Sequence, residues 1–295
     1  KDIHIGSEDS SPSSLTSANG FLFFAANDGA SGTELWMSDG TSDGTEIVFN
    51  YFNNTNSISP TQFADVNGTL FFAGTESTNG TELWKSDGTA SGTILLKNIV
   101  SGLGSSSPTN LTNVNGTLFF TANSGSNGIE LWKSDGTSMG TVLVKDVYPG
   151  GLSSSASFLT NVNVTLFFSA RDDTNGTELW KSDGTASGTE LVMDIRSGNS
   201  GSNPRNLTNV NGTLFFSASD DTNGTELWKS DGTTAGTEMV KDIISGANSS
   251  NINFLTNVNG TLFFSASDGV NGYELWKSDG TDLGTEIVRD IQSGP

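Results

Sequence analysis

Six tryptophans, Trp36, Trp84, Trp132, Trp180, Trp228 and Trp276, follow one another at a constant spacing of 48 residues, and the chain has no others. No insertion or deletion interrupts the series. A fixed period of this size marks an array of one supersecondary unit, which cannot bury its apolar face alone and must stack on neighbours. Length alone (295 residues) would allow two domains. The period overrides it and predicts a single domain over 1–295.

The fifth repeat shows what the unit is. Residues 206–210 form a short alternating run, and Asn211-Gly212 then supplies the two residues that tolerate the positive φ of a tight hairpin. Residues 213–219 carry Leu214-Phe215-Phe216, apolar on both faces, as in a sheet covered on both sides. After an acidic loop come a strand over 225–230, a turn opened by Asp231-Gly232, and a more evenly alternating strand over 237–243. Nothing has the 3.6-residue period of a helix. Gly, Ser, Thr, Asn and Asp fill the rest, which is strand-and-turn chemistry. Four short antiparallel strands per repeat, with short internal turns and a longer link, make the pattern of a propeller blade. The expected fold is therefore an all-β, six-bladed β-propeller, with blades at about 15–49, 63–97, 111–145, 159–193, 207–243 and 255–291. A parallel β-helix fits less well, because its repeats are shorter and lack two hairpin turns each.

Departures from the repeat are few. Lys1-Asp2-Ile3 repeats the end of a fourth strand, as in Lys241-Asp242-Ile243, and reads as part of a further copy or an overlap used in closure. Blade one has Met37 where later blades have lysine after the tryptophan. The link from Asn50 to Ser59 is aromatic, with Tyr51 and Phe52. Val164 replaces the glycine of a hairpin, so that turn is expected to differ. A chain that starts at Lys1 reads as part of a larger processed precursor.

The eight-residue stretch Glu226-Leu227-Trp228-Lys229-Ser230-Asp231-Gly232-Thr233 recurs with little change in every repeat, followed by Gly-Thr and a strand ending near Lys-Asp-Ile. In this it resembles the ELWxxDGT repeat family of bacterial secreted or surface proteins. The resemblance covers all six repeats. It implies a propeller-like, extracellular, non-enzymatic module, and it brings no ligand or catalytic residue with it.

Four sets of side chains are candidates for function. The glutamates Glu34, Glu82, Glu130, Glu178, Glu226 and Glu274 and the aspartates Asp39, Asp87, Asp135, Asp183, Asp231 and Asp279 recur in all repeats. An aspartate one residue before glycine accepts N–H groups across its own turn, and the glutamate is placed to bond backbone of the adjacent blade. Both are expected to be scaffold residues. The tryptophans are expected to fill the gap between blades rather than to stack on sugars. The loops between second and third strands vary, and carry Asp172, Asp173, Asp220, Asp221 and Asp268 as candidate ligands of a weakly held calcium ion. No loop has the spacing of a calcium-binding hand. Asn-x-Thr sequons such as Asn115-Gly116-Thr117 and Asn223-Gly224-Thr225 follow from Asn-Gly turns placed before strand-favouring threonine.

Charge and composition bound the partners. With 13 basic and 33 acidic residues the net charge is −20, a poor match for nucleic acid or an anionic membrane surface. No run approaches the roughly 20 apolar residues of a membrane span. There is no cysteine and only one histidine, His4, which removes most nucleophile–base pairs. The arginines and tyrosines are scattered, unlike a sialidase centre, and no unique carboxylate pair stands out for glycoside hydrolysis. The sequence therefore points to a non-enzymatic module, extracellular or at the cell surface, meeting other surface proteins, copies of itself or glycans. The alternative is a multivalent lectin with repeated sites between blades.

Overall fold

The computed structural model describes residues 1–50 and 57–291. Among these residues all regular structure is β: six sheets, each of four antiparallel strands in chain order. They occupy 13–49, 61–97, 109–145, 157–193, 205–241 and 253–289. In blade five the strands are Arg205–Val210, Thr213–Ser219, Thr225–Ser230 and Glu238–Lys241. The aromatic link with Tyr51 and Phe52 lies outside the described residues.

Each sheet begins two residues earlier than the alternation predicts, and a bulge is the reason. In blade five the pairing of first and second strands jumps between Arg205 and Thr208, and Asn206 takes a φ of 57°. Every blade repeats the bulge, with Ser14, Gln62, Asn110, Phe158 and Phe254 at positive φ. A bulge adds an unpaired residue and bends the strand. A second bulge, between Leu227 and Trp228, turns the third strand against the fourth.

The hairpin of blade four does not differ. Asn163 and Val164 adopt φ values of 50° and 65°, and the flanking strands pair as elsewhere. The strand register holds Val164 in the left-handed region even though a branched Cβ disfavours it.

The chain divides into two compact units, Lys1–Asp146 with Gly150–Leu152, and Val147–Pro149 with Ser153–Pro295. In the first unit the first strands of blades one, two and three lie side by side. Blade two contributes Val66, Phe71, Leu83 and Leu96 to one apolar cluster with Leu118, Phe120, Ala122 and Trp132 of blade three. In the second unit the same packing joins blades five and six through Val210, Phe215, Leu227 and Val240 on one side and Leu262, Phe264, Ala266 and Trp276 on the other. Successive phenylalanines thus face opposite neighbours, which is why the Leu-Phe-Phe run is apolar throughout. Full burial of each such side chain contributes on the order of 1.5–3 kcal/mol.

The residue that closes one blade also packs on the next. Ile99 lies against the blade two–three cluster, Ile195 is part of the blade four–five cluster, and Ile243 lies against that of blades five and six. Ile3 does the same for Phe24, Ala26 and Trp36 of blade one. The N-terminal tripeptide therefore serves blade one as the end of a preceding fourth strand.

Candidate functional site

The recurring acids are best read through the bonds they make. In blade five, Asp231 Oδ1 accepts the Thr233 N–H at 2.8 Å and the Thr233 hydroxyl at 2.7 Å. The Thr233 hydroxyl in turn accepts the Gly236 N–H, and the Thr237 hydroxyl donates to the Thr233 carbonyl. Ser230 and Thr237 join hydroxyls across the mouth of the turn. Asp39, Asp87, Asp135 and Asp279 make the same pair of bonds to Thr41, Thr89, Thr137 and Thr281, as does Asp183 to Thr185. The threonine hydroxyl and N–H hold the Asp231 carboxyl below its ordinary range. The turn-closing glycine is required by space: a Cβ on Gly236 would lie 2.1 Å from the Asp231 carboxylate.

The turn also docks on its neighbour. A Cβ on Gly232 would lie 2.9 Å from the Phe167 ring, and Lys181 Nζ donates to the Gly232 carbonyl at 2.8 Å. Lys229 does the same to Gly280, and Lys85 to Gly136. In these three blades the lysine after the tryptophan ties one blade to the Asp-Gly turn of the next. In blade one Met37 holds that place beside Gly88.

The glutamates are buried, and Glu82, Glu178, Glu226 and Glu274 grip the link that leaves their own blade. Glu178 accepts the N–H groups of Ile195, Arg196 and Ser202 and the Ser202 hydroxyl. Glu82 has the same four donors, from Ile99, Val100 and Ser106. Glu226 accepts from Ile243 and Ser250, and Glu274 from Ile291. Burial pushes Glu178 and Glu226 up to about 7, against the pull of their donors, and Glu34 up to about 8. Glu130 is buried like the rest.

All six tryptophans are buried. The indole N–H groups of Trp36 and Trp276 donate to the carbonyls of Ala26 and Ala266. Where other blades have that alanine, blade two has Gly74, and a Cβ there would lie 2.8 Å from the Trp84 ring.

The loop acids are turn residues of a different kind. Asp172 accepts the N–H groups of Thr174 and Asn175 through Oδ1 and the Asn175 amide through Oδ2. Asp220 repeats this with Thr222 and Asn223, and Asp268 with Val270 and Asn271. Burial opposes ionisation of Asp172, but these donors outweigh it and hold the carboxyl below its ordinary value. Asp221 pairs with Arg196 at 3.2 Å, and the backbone carbonyl of Asp173 faces the Asn199 amide. Among the described residues no three His, Cys, Asp or Glu side chains gather as a metal-ligand group.

Open clefts recur between blades of the second unit. One of about 400 Å³ lies between blades five and six, lined by Phe215, Lys229, Asp231, Glu238, Asp279 and Thr281. Its counterpart between blades four and five is lined by Phe167, Lys181, Asp231 and Thr233. A second pair is lined by side chains near the links and first strands, with Arg205 in both. Sequence reasoning passed over three working residues: the link serine that donates to the glutamate, the turn threonine and the bridging lysine. All recur at the 48-residue period, which is the signal that could have found them.

No family model matches the chain, and no curated protein does. Solved structures do. A puromycin hydrolase superposes with a TM-score of 0.51 at 13% identity, over 94% of this chain and 46% of that one. Oligopeptidase B from Leishmania major gives 0.56 at 12% identity, over 97% of this chain and 42% of that one. The chain spans less than half the length of either, and at such identity the likeness shows the fold alone. With its six four-stranded antiparallel sheets, the chain is a six-bladed β-propeller.

Proposed function

We propose that the chain is a non-enzymatic interaction and structural module, extracellular or on a cell surface, whose partners are other surface proteins or further copies of itself. The observation that carries this reading is the use made of the recurring acids. The turn aspartates and the link glutamates are held by hydrogen bonds within the scaffold, so the chemistry that all blades share serves architecture. Side chains free to vary lie on loops, where a rigid scaffold presents binding surfaces. The test is light scattering of the purified chain over a wide concentration range, together with capture of surface proteins from cells. Rising mass or saturable capture supports the reading. A strict monomer that captures nothing and turns over a peptide, ester or glycoside sinks it.

A second reading, a multivalent lectin, is favoured by one observation: the cleft beside the Asp-Gly turn recurs one period apart, with lysine, aspartate and a phenylalanine edge in the same places. It requires several equivalents of sugar per chain in calorimetry.

A further inference from the structure

Blades four and five depart from the repeat at one place on their first strands. Arg205 stands where other blades have Ser13, Thr61, Thr109, Ser157 and Asn253. It is exposed, and among the described residues it makes no ion pair. One cleft beside it, of about 450 Å³, is lined by Asn203, Asn206, Ser217, Thr225 and Asn253. The other, of about 250 Å³, is lined by Phe158, Ser169, Thr177 and Pro204. The two share Asn203 and Arg205. Neither has an acidic residue in its lining, although the chain carries 33 of them. Of the clefts at the Asp-Gly turns, by contrast, one has three acids in its lining and the other has one, each beside a lysine.

Phe158 adds a second departure. It occupies the bulge position at a φ of 55°, with 43% of its surface exposed, where blades three and five have asparagine and only blade six, with Phe254, repeats the aromatic residue. Asparagine tolerates this left-handed backbone and phenylalanine does so only under strain. The bulge fixes that backbone in every blade, but only here does an exposed aromatic ring line the same cleft as an exposed guanidinium.

We infer that these two clefts form one binding site for an acidic saccharide, with a uronate carboxylate on Arg205, the apolar face of a sugar ring on Phe158, and hydroxyls on the amides and hydroxyls of Asn203, Asn206 and Thr225. Guanidinium and carboxylate match in a two-bond fork. Side-chain amides and hydroxyls both donate and accept, as sugar hydroxyls do. The combined space is of the size that small-ligand sites occupy. The site is single, because no other blade has arginine at the Arg205 position and Phe254 of blade six has no such arginine to pair with, so it stands apart from repeated inter-blade sugar sites and does not rest on self-assembly.

The test is calorimetric titration of the whole chain with tetragalacturonate, and with its methyl-esterified form as the uncharged control. One saccharide per chain is expected, weakened by added salt, with the ester bound at least tenfold more weakly. Arg205→Gln, an exposed change that leaves the melting temperature in place, should weaken tetragalacturonate at least tenfold. Phe158→Asn should weaken it several-fold while raising the melting temperature. No binding by the native chain, equal binding of the ester, full binding by Arg205→Gln, or several saccharides per chain would each overturn the proposal. Light scattering on the same samples reads assembly separately, so a monomer that binds the saccharide leaves this site standing and removes only the self-assembly reading.

Discussion

The Ser106 hydroxyl donates to the buried Glu82 carboxylate across 2.6 Å, and one period earlier Ile58 stands in the serine's place and cannot make that bond to Glu34. Ile58 is buried and packs with Leu35, Leu70 and Phe72. Among the described residues neither Glu34 oxygen has a hydrogen-bond partner. Burial raises the Glu34 carboxyl to about 8, against about 7 for Glu178 and Glu226. Removing the serine bond elsewhere should reproduce this. Ser202→Ala should cost on the order of 1–2 kcal/mol and move the Glu178 carboxyl further up, read by denaturation and by carboxyl-carbon NMR titration. An unchanged Glu178 titration would mean that the serine does not set it.

Glu34, Glu178 and Glu226 make stability depend on pH with a definite sign. Their carboxyls titrate higher in the folded chain, at about 7 to 8, than their ordinary value of 4.5. The folded state therefore holds extra protons, and their contribution is full below about 4.5 and lost as pH rises through 7 and 8. The turn aspartates act in the other direction: they titrate below 3.8 when folded, so their contribution fades as pH falls through that lowered value. The melting temperature should peak in acidic solution, at about pH 4–4.5, and decline as pH rises through 7 and 8, where the net charge of −20 adds repulsion. A melting temperature flat from pH 5 to pH 9 would show that the buried carboxyls ionise without cost.

Much of this fold was legible because its turns are written in residues with few alternatives. Asn-Gly and Asp-Gly fix where strands end, and Leu-Phe-Phe and Glu-Leu-Trp fix which strands are covered on both faces. The strand starts were not legible. The bulge residues, Ser14, Gln62, Asn110, Phe158, Asn206 and Phe254, share a backbone conformation but no chemistry. The link glutamates were expected to reach an adjacent blade and instead hold the segment that leaves their own, a contact between residues 17 to 24 positions apart that alternation does not encode. The proposed site at Arg205 lay outside the reach of the repeat, since a period reveals what recurs and an arginine at this position does not.

Val164 offers a direct measure of backbone strain. Its φ of 65° sits at a position where the equivalent hairpins have glycine, and its side chain is 63% exposed. Val164→Gly removes little packing and relieves a conformation that costs a branched residue roughly 1–2 kcal/mol. Glycine gives back part of this through the freedom of the unfolded chain. A net gain of up to about 1 kcal/mol is expected, read as a higher denaturation midpoint at constant slope. A destabilised Val164→Gly would place the strain elsewhere.

The last relationship to test is the one between Asp231 and Gly236. The carboxylate of Asp231 occupies the space into which a Cβ on Gly236 would project, 2.1 Å from Oδ1. The two Thr233 bonds keep it there, at 2.8 and 2.7 Å. Asp231→Ala should cost on the order of 1 kcal/mol through the lost turn bonds. Gly236→Ala should cost about 1–2 kcal/mol, because the new methyl group must expel the carboxylate from those bonds. Once the carboxylate is gone, however, the closest clash of the methyl group is gone with it. The double variant should therefore be more stable than the sum of the single losses allows, by roughly 1 kcal/mol. Equilibrium denaturation of the four chains measures the coupling. Strict additivity would mean that the turn tolerates Gly236→Ala without moving Asp231, and that the glycine of the repeat answers to some constraint other than this carboxylate.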